Sequence, residues 1–198
     1  GIAGGLVGCA ADNSNIFASV ADCDIQGYYD LGGIVGEFYG GNITDCFVNF
    51  NITTTGTLSQ SGGIVGTAGY ETTNITNCYS TGSIVVSNKY SIPYTEGNGG
   101  LIGSQSQYTQ GAVNIINSVS LMQYVYGFES TGRLAGTGNV NVVNSYAWEG
   151  MTNNGVLFSD GGINGTSVSS DLFWNNQSFF ADVLGWDFTN TWKMNSGN

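Results

Sequence analysis

One short string recurs along this chain. Gly-Gly-[Leu/Ile]-[Val/Ile]-Gly starts at Gly4, Gly32, Gly62 and Gly99, a degenerate copy (GRLAG) starts at Gly132, and a weaker one (GGING) starts at Gly161. Successive starts lie 28, 30, 37, 33 and 29 residues apart. Self-similarity at such a period marks a stacked array, in which each unit buries its apolar face only against its neighbours. A helical repeat is excluded because glycine punctuates every short apolar run, and each glycine inside a helix costs about 1 kcal/mol.

A second signature follows the first five copies: aliphatic, any residue, Asn or Asp, then Cys or Ser. It reads Val20-Ala21-Asp22-Cys23, Ile43-Thr44-Asp45-Cys46, Ile75-Thr76-Asn77-Cys78, Ile115-Ile116-Asn117-Ser118 and Val142-Val143-Asn144-Ser145. The reading is an all-β parallel solenoid (β-helix) of about five to six coils. Its handedness is expected to be right-handed, from the general bias of parallel crossovers. Equivalent residues then stack about 4.8 Å apart. Leu6, Ile34, Ile64, Leu101 and Leu134 form one aliphatic ladder, and Val20, Ile43, Ile75, Ile115 and Val142 a second. Asp22, Asp45, Asn77, Asn117 and Asn144 form a polar ladder at an inward bend, where stacked amides bond to their own copies. The glycines serve tight corners, by close backbone approach or by positive φ.

The steps between the two signatures are uneven, so loops of variable length must leave fixed coils. The longest, from Ser83 to Asn98, carries Tyr90, Pro93 and Tyr94 and is an expected binding loop. The repeats occupy residues 1–170. Residues 171–198 are read as a capping segment of the same domain, because Phe173, Trp174, Phe179, Phe180, Trp186, Phe188 and Trp192 crowd together there. An aromatic cap would cover the open apolar end of a solenoid. At the other end the chain opens directly on a repeat. That implies a piece of a longer precursor, or an edge that another molecule covers.

Three Lys or Arg against 14 Asp or Glu give a net charge of −11. Nucleic acid and anionic membrane surfaces are disfavoured as partners, since both are bound through cations. No run of about 18 apolar residues could span a bilayer. The sequence contains no histidine, which excludes a Ser-His-Asp or Cys-His centre within this chain. With no CxxC spacing either, a structural zinc site is not expected. Among the carboxylates, Asp22, Asp24 and Asp45 are the candidates for paired action. Asp22 and Asp45, as neighbours in the polar ladder, read as structural rungs, with the holding of a cation such as calcium as the alternative. No other cofactor is expected, and no catalytic residue is assigned. Cys46 and Cys78, with Cys23, read as a buried column of small side chains that Ser118 and Ser145 continue; a Cys9–Cys23 disulfide is the alternative for the first repeat. Five sequons, at Asn42, Asn51, Asn74, Asn164 and Asn176, are glycosylation candidates for an exported chain. Trp174 and Trp186 are candidate ligand-stacking residues.

The combination GGIVG … ITNCYSTGSI, clearest from Gly62 to Ile84, resembles the GLUG motif of prokaryotic cell-surface proteins, among them large adhesins and immunoglobulin A peptidases outside their catalytic part. The resemblance extends over Gly4 to Asn144, and Leu184–Trp192 is similar to the segment that often ends such arrays. It implies a β-solenoid that is extracellular or on the cell surface, and it transfers no active site. Three functions follow as expectations. The first is a non-enzymatic module presenting loops for adhesion or recognition to a cell-surface or matrix partner. The second is a filament, sheath or envelope subunit stacking end to end with its own copies. The third is a carbohydrate-binding or glycan-cleaving domain.

Overall fold

The computed structural model describes residues 1–56, 59–87, 97–108, 110–128, 130–173 and 176–194. Each repeat is one turn of a parallel β-solenoid with four faces. Face I stacks Ala3–Gly4, Asp30–Gly32, Gln60–Gly62, Asn98–Gly99 and Thr131–Gly132. Face II stacks Val7–Ala10, Val35–Phe38, Val65–Ala68 and Ile102–Gln105, with a single bridge onward from Ile102 to Ala135. Face III stacks Ser14–Phe17, Gly41–Thr44, Thr73–Thr76, Val113–Ile116 and Val140–Val143. Face IV is the widest. It holds Val20–Asp22 with Ile25–Gly27, then Phe47–Thr54, Tyr79–Val86, Val119–Tyr126, Tyr146–Trp148 and Thr152–Asn153. Adjacent turns pair in parallel throughout these four faces. The variable loops join face IV to face I of the next turn. The long one expected to bind lies largely at 88–96, outside the described residues.

The first aliphatic ladder is present as drawn. The N–H groups of Leu6, Ile34, Ile64 and Leu101 each donate to the carbonyl of the next member, up to Leu134, at 2.8–3.1 Å. The ladder continues into the weak sixth copy, where Leu134 and Ala135 both donate to Ile163 O at 3.1 Å. The second ladder is in register from Ile43 through Ile75 and Ile115 to Val142, and Ile43, Ile75 and Ile115 are fully buried.

Close approach, not positive φ, explains the paired glycines. A Cβ on Gly32, Gly62, Gly99 or Gly132 would lie 1.9–2.1 Å from the carbonyl oxygen three residues on. One on Gly33, Gly63 or Gly100 would lie 1.8–2.2 Å from a carbonyl of the next turn. The corner that does need the left-handed region is the one between faces III and IV. There Ala18, Asp45, Asn77, Asn117 and Asn144 have φ of 47°, 55°, 53°, 49° and 44°, and Asn and Asp are the non-glycine residues that tolerate it best.

The first repeat corrects the sequence alignment. Register places Ile16, not Val20, beside Ile43, and Val20 beside Phe47. Ala18 therefore occupies the corner position of Asp45, Asp22 faces Asn49, and Cys23 leaves the thiol column to Ser19.

That column is a hydrogen-bond relay as well as packing. Cys46 N–H donates to Cys78 Sγ (3.4 Å), Cys78 N–H to Ser118 Oγ (3.1 Å) and Ser118 N–H to Ser145 Oγ (3.1 Å). Each side chain in turn donates to the carbonyl two residues back, as Cys78 does to Thr76 O at 3.2 Å. Burial pushes the Cys78 thiol well up, so it stays protonated and able to donate. All four cysteines are free thiols. Sulfur and hydroxyl do the same work here, so Cys78→Ser should leave the melting temperature almost unchanged. Cys78→Ala strands the buried Cys46 N–H, and thermal denaturation should report a loss of about 1–3 kcal/mol.

Candidate functional site

The C-terminal segment is where the structure departs furthest from expectation. It does not close the end of the stack. Gly161–Gly165 and Thr166–Val168 lie over the last turn instead, the latter pairing with Tyr146–Trp148. The chain then passes through a short helix, Ser170–Phe173, and a π-helical turn, Phe179–Val183. From there it runs back down the flank of the solenoid along the left-handed corner. Asn144 Nδ2 donates to Val183 O (2.8 Å), Trp186 Nε1 to Asn117 O (2.8 Å) and Trp192 Nε1 to Asp45 Oδ1 (3.2 Å). Tail residues 183, 186 and 192 thus meet corner residues 144, 117 and 45, in reverse order along the axis. The expected polar ladder is real between Asp45 and Asn77 (3.1 Å) and between Asn117 and Asn144 (2.9 Å). It also serves as the rail on which this strap docks.

Between the strap and the outer surface of face IV lies a groove of about 710 Å³. Outward-pointing residues alternate along each strand of the face, which puts Phe47, Asn49 and Asn51, then Tyr79 and Thr81, then Leu121 and Gln123 on its floor. Trp148, Phe180, Phe188 and Trp192 add aromatic walls, and Lys193 is the one charged side chain among the described residues lining it. Phe47 and Tyr79 stack at 4.2 Å with 17° between their planes, and Tyr79 continues to Trp192 at 5.7 Å.

Two backbone irregularities shape the floor. Gly82 has φ of +106°, and a Cβ there would lie 1.7 Å from Phe50 O. Across from it the register shifts: Met122 pairs with Gly82 and Tyr124 with Ser83, so Gln123 is an extra, unpaired residue. A bulge of this kind re-aims a side chain, and here it sends the Gln123 amide out over the groove.

The groove also controls an ionisation. Burial pushes the Tyr79 phenol up from 10.0 to about 12. Folding therefore favours the neutral phenol, and its contribution to stability is complete below pH 10 and disappears as pH rises through about 12. Tyr39 is likewise pushed up to about 12, first by its hydrogen bond with Cys9 and then by the Glu37 charge, and adds to the same window. Alkaline unfolding followed by circular dichroism should begin above pH 10, and Tyr79→Phe should shift its midpoint upward.

The residues singled out in the sequence have these places. Asp22 and Asp45 stand in different columns, so the pair read as neighbouring rungs, with a cation as the alternative, is not brought together. Asp22 instead accepts from Asn49 Nδ2 at 3.1 Å, and Asp24 from Asn51 Nδ2 at 3.0 Å. No group of three or more His, Cys, Asp or Glu suited to a metal ion occurs among the described residues. Trp186 is not a stacking platform. It is 4% exposed, with its ring held between Trp192 at 4.5 Å and Phe180 at 4.9 Å. Trp174 lies outside the described residues. Of the sequons, Asn42 and Asn51 are exposed and Asn74, Asn164 and Asn176 half-buried. Asn164 Oδ1 accepts the Arg133 N–H, and Asn176 Oδ1 the Phe179 N–H. Asn42 and Asn74 belong to an outward amide ladder on face III. It links Asn15, Asn42, Asn74, Asn114 and Asn141 through Nδ2–Oδ1 bonds of 2.8–3.2 Å. No helix among the described residues is long and apolar enough to cross a membrane.

Comparison with known proteins agrees with this architecture. No curated protein matches the chain. Among solved structures, the chain is similar to the crystal structure of a putative immunoglobulin A1 protease from Bacteroides ovatus, with a TM-score of 0.62 and 19% identity over 86% of this chain and 52% of that one. The chain thus spans about half the length of that protein, and the likeness is one of fold. Residues 57–85, which include the third GGIVG copy and its ITNCYSTGSI partner, match the GLUG motif model. The chain is a parallel β-solenoid that carries the GLUG motif.

Proposed function

We propose that this chain is a non-enzymatic, extracellular cell-surface module that holds its partner in the flank groove. The observation that carries the reading is the combination of half-buried aromatic rings with a bulge-extruded amide in one concavity. Concave, mostly apolar surfaces with a few placed polar groups are the usual form of a binding site. The GLUG motif supports the surface location, and the absence of histidine from the sequence removes the Ser-His-Asp and Cys-His centres from consideration. Recognition thereby moves from the connecting loops to the one face that the strap converts into a cleft. The test is adhesion of beads coated with the purified chain to bacterial envelopes and to extracellular matrix. Thr81→Arg, which fills the groove floor with a long side chain, should reduce adhesion to the level of bare beads while leaving the melting transition in place. Full adhesion by a folded Thr81→Arg variant removes the groove from the reading, and wild-type adhesion no better than bare beads removes the reading itself.

One observation supports assembly as a second reading. Leu6, the first rung of an otherwise fully buried ladder, is 47% exposed, an apolar edge that a further coil, of this protein or of a second copy, would cover. Sedimentation velocity that shows no growth with concentration would rule out such a filament.

A further inference from the structure

Resting on the groove as the binding site, we infer that its ligand is a neutral saccharide. Sugar rings lie against the faces or edges of Phe47, Tyr79, Trp148 and Trp192, and their hydroxyls bond to Asn49, Asn51 and Gln123.

The first argument is hydrogen-bond capacity. The Asn49 amide gives one N–H to Asp22 (3.1 Å) and takes one bond from Thr81 Oγ1 (3.0 Å). The Asn51 amide gives one N–H to Asp24 (3.0 Å) and takes one from Ser83 Oγ (2.8 Å). A primary amide has two N–H donors and two acceptor lone pairs, so each keeps one donor and one acceptor while its orientation is already fixed. The extruded Gln123 amide has no hydrogen-bond partner among the described residues, although it lines the groove. Paired free donors and acceptors match vicinal hydroxyls, which both donate and accept. A purely apolar ligand would dry these amides without replacing their water, leaving each polar group unpaired.

The second argument is charge. Lys193 is the one charge among the described lining residues, while the exposed Asp22 and Asp24 of the adjacent turn accept from the Asn49 and Asn51 amides. A polyanion, such as a sulfated glycan or a nucleic acid, would meet two carboxylates on a chain of net charge −11. A cationic peptide would meet Lys193 among the described lining residues, and the nearby carboxylates of Asp22 and Asp24 already accept from Asn49 and Asn51. The third argument is topology. The groove strands Phe47–Thr54 and Tyr79–Val86 are paired on both sides, so no free strand edge is offered for an extended peptide to extend the sheet. What remains is aromatic surface for C–H faces and neutral amides for hydroxyls.

The experiment is isothermal titration of the whole chain with oligomers of glucose, mannose, galactose and N-acetylglucosamine. A sulfated oligosaccharide and an apolar peptide serve as the contrasting arms. At least one neutral oligomer should bind, and Gln123→Ala should weaken it about tenfold, the equivalent of about 1.4 kcal/mol. The melting temperature should stay unchanged, because the bulged side chain has no hydrogen-bond partner among the described residues. Three results overturn the inference: no binding by any neutral oligomer, preferential binding of the sulfated or apolar probe, or undiminished binding by Gln123→Ala. If groove-dependent bead adhesion persists while every neutral oligomer fails, the saccharide is wrong and the recognition module stands. If Thr81→Arg beads adhere as well as wild type, the module reading itself has failed.

Discussion

Gly63→Ala should destabilise the chain by more than about 3 kcal/mol, a larger effect than most single methyl additions produce. The added Cβ would sit 1.8 Å from Gly100 O of the next turn and 2.8 Å from the Ser80 Cβ. Neither neighbour can yield cheaply. Gly63 N–H is tied to Gly99 O at 3.2 Å and Ile64 N–H to Leu101 O at 2.8 Å, so moving one turn from the next breaks the ladder that joins them. The motif supplies its own control. Gly8 is the last glycine of the first copy, and a Cβ there would meet only Ile2 O at 3.7 Å, with no positive φ to strain it. Gly8→Ala should be neutral, or stabilising by up to about 1 kcal/mol, through the lower entropy of the unfolded chain. Chemical denaturation of the two variants side by side decides the matter. Equal midpoints would show that the paired glycines are not held by contact between turns.

The contrast between these glycines explains what was legible in the sequence. A solenoid writes its fold into the chain as a period, because one geometric constraint recurs at every turn. The columns beginning at Ile34 and Ile43 could therefore be read directly, as could the corner residues from Asp45 to Asn144. The first turn was misread because Val20-Ala21-Asp22-Cys23 imitates the signature, while the true corner carries Ala18 and Ser19, which do not. The signal that would have corrected it was present. An Asn precedes the aliphatic column in Asn15-Ile16, Asn42-Ile43, Asn74-Ile75, Asn114-Ile115 and Asn141-Val142, and the structure joins those five amides into one ladder. The groove was not legible at all. The bulge at Gln123 and the reversed path of the strap each occur once, so no internal repetition announces them. The aromatic cluster was visible as composition, but whether it covers an end or a flank depends on contacts between residues as distant as Trp192 and Asp45.

The strap and the groove can only be held if the last turn is held, and that turn depends on the one place where the glycine column fails. Arg133 stands where earlier turns have Gly33, Gly63 and Gly100. It is accommodated because the next turn is not an extended strand there but the 3-10 turn Gly162–Asn164. Its side chain is 1% exposed and spends its donors on that turn and its surroundings. Nε donates to Asn164 O (3.1 Å), one terminal nitrogen to Ser167 Oγ (2.8 Å), and the other to Asp160 Oδ1 (2.7 Å) and Gly165 O (3.3 Å). Arg133→Ala removes all of these and leaves a buried hollow, so a loss of about 3 kcal/mol or more is expected in thermal denaturation. Restoring the motif with Arg133→Gly should not rescue it, since the missing partner is the guanidinium and not the glycine. Asp160 tests the same lock from its exposed side. Hydrogen bonds from Ser167 and then Arg133 hold its carboxyl below the usual 3.8. The charged form is therefore favoured by folding, and its contribution is present above pH 3.8 and fades as pH falls through the lower folded value. Asp30 and Glu37 shift the opposite way, raised by burial, so the wild-type acid profile mixes both signs. The difference between wild type and Asp160→Asn isolates the lock: a stability gap at neutral pH that closes below pH 3.8. A gap that persists unchanged into acid would mean that Arg133 is held by the carbonyls and Ser167 alone.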